Sequence, residues 1–218
     1  MPLRPEIWAQ SCTPRPLARA FWRVVGLAVF LILPLGAAQP YRVVAFGDSH
    51  TVVEAGMGSS LANRLGRRVD YTPLGINGTT ANNLLRGFAH RGPFCESIPR
   101  AAGLAPDLVV VAFGTNEAVG RLPADYESGY ARLLAEVCFE FPRARVVALG
   151  PPSGAAGKVP SLSLVRNTQA RAAKSPGVPW IDRAAMGGVW QPDGVHHTVG
   201  SYRYLAAEVA KQLSALVP

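Results

Sequence analysis

The sequence predicts an α/β fold: a three-layer α/β/α sandwich built around a five-stranded parallel sheet. Short apolar runs rich in β-branched residues alternate with stretches of helical pattern from residue 41 to residue 213. Such alternation produces a parallel sheet covered by helices on both faces. The run from Leu108 to Phe113 is apolar without interruption, which is typical of a central strand buried on both faces.

The strands and helices are expected to alternate along the chain. The first strand ends at Gly47, the third at Gly114 and the fourth at Gly150, because glycine is common where regular structure stops. In open parallel sheets the functional site lies beyond the carboxyl ends of the strands, so polar motifs at these ends are candidate site residues. The predicted strands are residues 41–46, 69–74, 108–113, 145–149 and 179–182, and the predicted helices are residues 52–65, 79–88, 125–139, 161–173 and 201–213.

Residues 1–38 are interpreted as a signal peptide or an N-terminal membrane anchor, and residues 39–218 as one domain. Arg19 and Arg23 precede an apolar run, and small residues at 36–38 offer a cleavage point before Gln39. The run over residues 24–38 is shorter than the roughly 20 residues that a bilayer span requires, although residues 21 and 22 could extend it. The sequence therefore predicts export to the periplasm or outside the cell, with an anchor at residues 21–38 as the alternative.

The composition argues against two classes of protein. Apolar residues make up 49% of the chain and charged residues 17%, which is typical of a globular domain and not of a disordered one. The formal net charge is +8, but no basic block is interleaved with aromatic residues, so a nucleic-acid partner is not expected. A monomer is expected. Cys95 and Cys138 form an even pair outside the leader, which permits one disulfide or two separate buried thiols.

A serine follows the first predicted strand, in the segment Phe-Gly-Asp-Ser-His-Thr at residues 46–51. At a tight strand-to-helix turn the Ser49 hydroxyl can project into a cleft. Its own N–H lies near a helix N-terminus, where developing negative charge is favoured. Taken alone, Gly-Asp-Ser is also typical of an ordinary turn or helix cap.

The next two strand ends carry candidate donors for an oxyanion. Gly78 follows the second strand, with Gly75 as the alternative position, and a glycine lets the backbone approach a substrate oxygen. Asn116 follows the third strand, and its side-chain amide is a good further donor. Each motif alone is also typical of a loop, and Glu117 is interpreted either as an orienting group or as a helix cap.

Asp193 and His196 stand three residues apart just before the last predicted helix. His196 is a candidate general base for Ser49, and Asp193 is a candidate for holding the imidazole tautomer. Metal binding by His196 and His197 is the alternative, but adjacent histidines usually point apart and no further cysteine or histidine completes a ligand set. No metal is therefore predicted, and His197 is expected to be structural or at the rim of the cleft.

The order of these motifs along the chain resembles that of the SGNH hydrolase (GDSL-type esterase/lipase) superfamily. The resemblance extends over nearly the whole of residues 39–218. The match is made by Ser49, Gly78, Asn116 and the Asp193–His196 pair. His50 departs from the leucine of the common motif, which affects only the assignment to a subfamily. Further segments resemble the branch that contains peptidoglycan O-acetylesterases: residues 47–51, 114–118, 150–152, 183–188 and 192–196.

The resemblance implies a flavodoxin-like SGNH hydrolase fold and a serine esterase that needs no cofactor. It implies a triad of Ser49, His196 and Asp193 working through an acyl-enzyme, with an oxyanion held by the N–H groups of Ser49 and Gly78 and by the Asn116 amide. The expected substrate is a small ester or an O-acetylated glycan.

Three other functions stay open: a lipolytic esterase or thioesterase of the same fold, an O-acetyltransferase, and a glycan-binding module on an inactive scaffold. Trp190, close to the Asp193 pair, is predicted to line the cleft and pack on a sugar ring, with a core position under the loop as the alternative.

Overall fold

The computed structural model describes residues 39–52, 57–66, 68–155 and 157–216. The predicted leader, residues 1–38, lies outside the described residues. Within the described ranges, no helix has both the length and the apolar character that crossing a bilayer requires.

The predicted five-stranded parallel sheet is confirmed, and its strand order is β2-β1-β3-β4-β5. This order reverses between β1 and β3, as in doubly wound flavodoxin-like sheets, and that reversal is where such folds place their ligands. The strands are β1 (Tyr41–Gly47), β2 (Val69–Gly75), β3 (Leu108–Ala112), β4 (Arg145–Leu149) and β5 (Trp180–Ile181).

Seven helices cover the sheet in the described part of the chain. All five predicted helices are present, but the first begins at Gly58 and not at residue 52. Before that point the Met57 N–H donates to the His50 carbonyl, at 3.0 Å, so Met57 lies against the turn that follows β1. The helices are α1 (Gly58–Leu65), α2 (Ala81–Phe88), α3 (Ser97–Gly103), α4 (Thr115–Val119), α5 (Tyr126–Glu140), α6 (Leu162–Lys174) and α7 (Val199–Ser214).

Two apolar layers, one on each face of the sheet, form the core. Along β1 and β3 successive side chains alternate between the layers, because neighbouring residues of a strand point to opposite faces. The α1/α7 layer contains Val43, Val110, Leu61, Leu205 and Val209. The opposite layer contains Val44, Val111, Leu84, Leu133 and Val165.

Two short helices were not predicted from the sequence. Helix α3 contains Pro99 within its first turn, and α4 has only five residues, so neither shows a long periodic pattern. Helix α4 follows Gly114, whose φ of 126° favours glycine. Cys95 carries a free thiol, so the disulfide to Cys138 that the sequence permits is not formed.

Two glycines let the turn after β1 sit directly on the ends of the neighbouring strands. A Cβ atom at Gly47 would lie 2.7 Å from the Ala112 carbonyl oxygen of β3, and one at Gly75 would lie 2.7 Å from the backbone nitrogen of Val52. Since these neighbours are backbone atoms, neither can move aside without shifting the turn. The position of residues 48–51 therefore depends on these two glycines.

We expect Gly75→Ala to lower the free energy of unfolding by about 1–3 kcal/mol, as overpacking does elsewhere. Gly129→Ala is the matched control, because a Cβ there meets nothing within 4 Å, and alanine within a helix is favoured over glycine by up to about 1 kcal/mol. Urea denaturation of both variants checks the prediction. Equal effects of the two substitutions would contradict it.

Candidate active site

The turn at residues 48–51 holds Ser49 at the carboxyl end of the sheet. The Asp48 N–H donates to the Ala112 carbonyl of β3, at 3.4 Å, and the Thr51 N–H donates to the Asp48 carbonyl, at 2.9 Å. The Asp48 carboxylate accepts the His50 N–H, at 3.0 Å. These bonds tie the turn to the central strand, and Ser49 lines an open cavity above it.

Ser49, His196 and Asp193 form one continuous chain of hydrogen bonds. The Ser49 Oγ lies 2.9 Å from His196 Nε2, and His196 Nδ1 lies 2.6 Å from Asp193 Oδ2. The structure therefore brings together the three residues that the sequence pattern singled out, although 147 positions separate the serine from the histidine.

The Asp193 carboxylate is held in place by backbone groups of its own loop. Its Oδ1 accepts the N–H groups of Val195 and His196, both at 2.9 Å. The hydrogen bond from the His196 side chain, followed by these backbone bonds, lowers the pKa of Asp193 to about 2. Asp193 is therefore ionised over the neutral range, and an ionised acceptor favours a proton on His196 Nδ1 and leaves Nε2 to face the serine.

Gly78 and Asn116 line the same cavity as Ser49. Gly78 is exposed and has a φ of +71°, which favours glycine. The Asn116 Nδ2 donates to the Thr79 carbonyl at 2.7 Å, and since the amide carries two hydrogens, one can still reach a ligand. Gly75, the alternative position, is the last residue of β2 and pairs with Gly47, so Gly78 is the glycine that lines the cavity.

The cavity has a volume of about 570 Å³, which lies in the range of small-molecule sites. Most of the described residues that line it have polar side chains, and Arg203 carries the permanent charge among them. The remaining lining residues include Ser59, Ser60, Asn77, Gln191, Val199 and Tyr202.

Trp190 does not line this cavity. Its indole N–H donates to the Ser153 carbonyl at 3.1 Å, and its ring centroid lies 6.5 Å from that of His197. The side chain keeps 37% of its surface exposed, so it is not in the core either. Its neighbour Gln191 lines the cavity instead, because successive residues of this extended segment point in different directions.

Sequence reasoning missed a set of buried polar residues beneath the turn. Arg183 is 1% exposed, and its Nε donates to the Gly150 carbonyl at 2.5 Å. Burial raises the pKa of Asp48, and the positive charge of Arg183 opposes that rise. Arg183 lies in a segment that the motif comparison had marked, but nothing in the local sequence distinguishes a buried arginine from an exposed one.

His197 and Glu117 both have structural contacts. His197 is buried and its Nε2 lies 2.9 Å from the Ser153 carbonyl oxygen. Glu117 is 5% exposed, and its carboxylate accepts the Ala81 N–H at the start of α2, at 2.8 Å, as the helix-cap interpretation expects. In the described ranges no group of three or more histidine, cysteine or acidic side chains is arranged to hold a metal ion.

The fold and this arrangement of side chains agree with an ester hydrolase. The family model of the GDSL-like lipase/acylhydrolase family matches residues 45–204. The chain belongs to this family and is an ester hydrolase of the SGNH type. A comparison with curated proteins finds no match.

Solved structures of several esterases share the fold. A carbohydrate acetylesterase from Sinorhizobium meliloti, Est24, is 20% identical with a TM-score of 0.66, and the match covers 81% of this chain and 99% of that chain. An aryl esterase from M. smegmatis is 22% identical with a TM-score of 0.65, with coverage of 81% and 99%. A peptidoglycan O-acetylesterase is 25% identical with a TM-score of 0.57, and the match covers 68% of this chain but 47% of that chain.

The buried Glu117 gives stability a pH dependence whose sign follows from its pKa. Burial raises that pKa from 4.5 to about 7, so the folded state holds the proton more tightly than the unfolded state does. The contribution of Glu117 to stability is therefore complete below about pH 4.5 and is lost as the pH rises through about 7.

Glu117→Gln keeps an acceptor for the Ala81 N–H but removes the ionisation. We expect its melting temperature to change less than that of the wild type between about pH 5 and pH 8, and to exceed it at about pH 8. Thermal denaturation followed by circular dichroism checks this, with the exposed Glu140→Gln as control. An unchanged pH dependence in Glu117→Gln would show that this carboxyl is not responsible.

Proposed function

We propose that this protein is an exported serine esterase that removes O-acetyl groups from a carbohydrate, with Ser49 as nucleophile. The observation that carries the chemistry is the hydrogen-bond chain from Ser49 through His196 to Asp193. A serine hydroxyl is a weak nucleophile unless an adjacent base accepts its proton. His196 Nε2 lies at the distance that such a transfer requires.

The reaction proceeds by two acyl transfers. Ser49 Oγ attacks the ester carbonyl as its proton passes to His196, and the tetrahedral intermediate collapses when His196 gives that proton to the departing alcohol. Water then attacks the acyl-enzyme with His196 as base, and the acid and free Ser49 are released. Asp193 stabilises the imidazolium that forms in each step.

In the tetrahedral intermediate the negative charge develops on the former carbonyl oxygen of the ester, which is bonded to the carbon that Ser49 has attacked. The backbone N–H groups of Ser49 and Gly78 and the second hydrogen of the Asn116 amide supply three hydrogen bonds. Fixed donors aimed at a developing oxyanion are among the largest single contributions to catalysis. The bond from Asn116 to the Thr79 carbonyl supports this role, because it fixes the amide before the substrate binds.

The hydrogen-bonding side chains in the cavity lining support a carbohydrate ester. Serine, asparagine and glutamine side chains line it, and such groups can exchange hydrogen bonds with sugar hydroxyls. The fold is shared with a carbohydrate acetylesterase and a peptidoglycan O-acetylesterase, which supports the O-acetyl class. The basic and apolar pattern of residues 1–38 supports export, where cell-wall glycan is available as substrate.

A lipolytic esterase or thioesterase and an O-acetyltransferase are the competing activities. They share the first acylation step and differ in the acyl group or in the acceptor that replaces water. The cavity is open to water, and several of its side chains can form hydrogen bonds, so hydrolysis of short acyl esters is the better supported activity. A glycan-binding module on an inactive scaffold is disfavoured because the Ser49–His196–Asp193 hydrogen-bond chain is complete.

We expect the chain from Gln39 onward to release acetate from O-acetylated peptidoglycan and to hydrolyse 4-nitrophenyl acetate. Ser49→Ala should abolish both activities, because Ser49 is the serine that is hydrogen-bonded to His196. Ser163→Ala is the matched control, since this serine is exposed on α6. Released acetate is measured enzymatically, and glycan integrity is followed by chromatography.

Three outcomes would revise the proposal. If Ser49 hydrolyses 4-nitrophenyl acetate but no acetate is released from glycan, the proposed esterase mechanism stands and the proposed glycan substrate is rejected. A clear preference for longer acyl chains would favour the lipolytic activity, and transfer of acetyl to an added glycan in place of water would favour the acetyltransferase. Activity that persists in Ser49→Ala would reject the mechanism.

Asn116→Ala is expected to lower kcat for 4-nitrophenyl acetate about a hundredfold or more while KM changes little, because the lost donor acts mainly in the transition state. Asn82→Ala is the control, as this asparagine is exposed at the start of α2. Steady-state kinetics and a melting curve check the prediction together. A rise in KM at unchanged kcat would assign Asn116 to substrate binding instead.

A further inference from the structure

His50, the residue after the candidate nucleophile, makes two contacts that the mechanism above does not use. It is fully buried, and its ring stacks on that of His196 with 5.3 Å between centroids and 24° between planes. Its Nδ1 lies 2.9 Å from the Tyr202 hydroxyl. His50 therefore contacts both the candidate base and a residue of α7.

The loop that carries Asp193 and His196 is joined to residues 153–155, where the Ala155 N–H donates to the Gly194 carbonyl at 2.8 Å, but its alignment with Ser49 requires a contact with the β1 turn. These two side chains are 47% and 33% exposed, and the hydrogen bond between them joins residues three positions apart. Such a bond orients the ring within its own loop but cannot fix the distance from the ring to the β1 turn. That distance decides whether His196 Nε2 reaches Ser49.

The contact between His50 and Tyr202 provides such a link between the β1 turn and the segment that carries His196. His50 is bonded to Ser49 through the chain, and Tyr202 stands in the first turn of α7, directly after the loop that carries His196. The β1 turn and the segment that runs into α7 are thus joined by the Ser49–His196 bond, by the His50–Tyr202 bond and by the ring contacts of His50 with His196 and His197. The stacked ring of His50 fills the space behind His196.

We propose that His50 and Tyr202 are a positioning pair that holds the His196 ring within hydrogen-bonding distance of Ser49. This inference rests on the proposed function, in which His196 exchanges a proton with Ser49. Neither residue touches the reacting atoms through this contact, and both act through His196.

The electrostatics around His50 suit this role. Burial is the largest cause that lowers the pKa of His50 well below its usual value, the positive charge of Arg183 acts in the same direction, and the negative charge of Asp193 opposes both. Burial likewise raises the pKa of Tyr202 to about 12, so its hydroxyl keeps its proton and can donate to His50 Nδ1. A neutral ring adds no positive charge beside His196 when that residue accepts a proton.

The test is a double-mutant cycle with Tyr202→Phe, which removes only the hydroxyl, and His50→Leu, which fills similar space without ring nitrogens. Kinetics with 4-nitrophenyl acetate are measured for both single variants and the double variant, alongside melting curves. Tyr204→Phe is the control, because this tyrosine is 51% exposed on the same helix.

Each single variant is expected to lower kcat about tenfold with KM within about twofold, since a displaced base loses rate and not binding. The double variant should lose little more than either single variant, because the pair acts as one unit. Unchanged kcat in both single variants, or losses that multiply in the double variant, would overturn the positioning pair.

Two comparisons keep this inference separate from the proposed function. If wild-type hydrolysis does not depend on Ser49, the proposed function fails and the positioning pair fails with it. If hydrolysis depends on Ser49 while Tyr202→Phe and His50→Leu retain the full kcat, only the positioning pair fails. A lower melting temperature with unchanged kcat also counts against it, because a purely structural contact gives that result.

Discussion

The close packing of the turn at residues 48–51 against the ends of β2 and β3 is the constraint on which the rest of the site depends. It requires Gly47 and Gly75, where any side chain would meet backbone atoms. Because Ser49 is placed by this contact, its position is set by the sheet and not by a mobile loop. The other candidate groups can then converge on a fixed point, as the preorganisation of a catalytic site demands.

Two charged side chains are buried at this turn, which costs solvation free energy unless their charges balance each other. Asp48 and Arg183 are both almost fully buried and influence each other's pKa in the directions expected of opposite charges. One oxygen of Asp48 and one nitrogen of Arg183 have no hydrogen-bond partner among the described residues. The structure thus bears an electrostatic cost next to the site, which is common where function and not stability selects the residues.

The candidate site has two halves: one consists of residues that follow strands of the sheet, and the other consists of residues on an exposed loop. Ser49, Gly78 and Asn116 follow strands of the sheet, whereas Asp193 and His196 lie on a loop before α7. Contacts between the two halves must therefore align His196 with Ser49. A polar cavity opens between the halves, so a substrate would contact both, and its acyl group would lie where the two halves meet.

The sequence by itself determined the strands, most of the helices and the residues of the candidate triad, because apolar periodicity and short motifs are local in the chain. It did not determine that Trp190 points away from the cavity, that Arg183 is buried, or that His50 stacks on His196. These outcomes depend on contacts between distant segments, such as the His50–Tyr202 bond across 152 positions. The packing of α7 against the sheet brings His50 and Tyr202 together, and no local pattern encodes the distance or orientation of such groups.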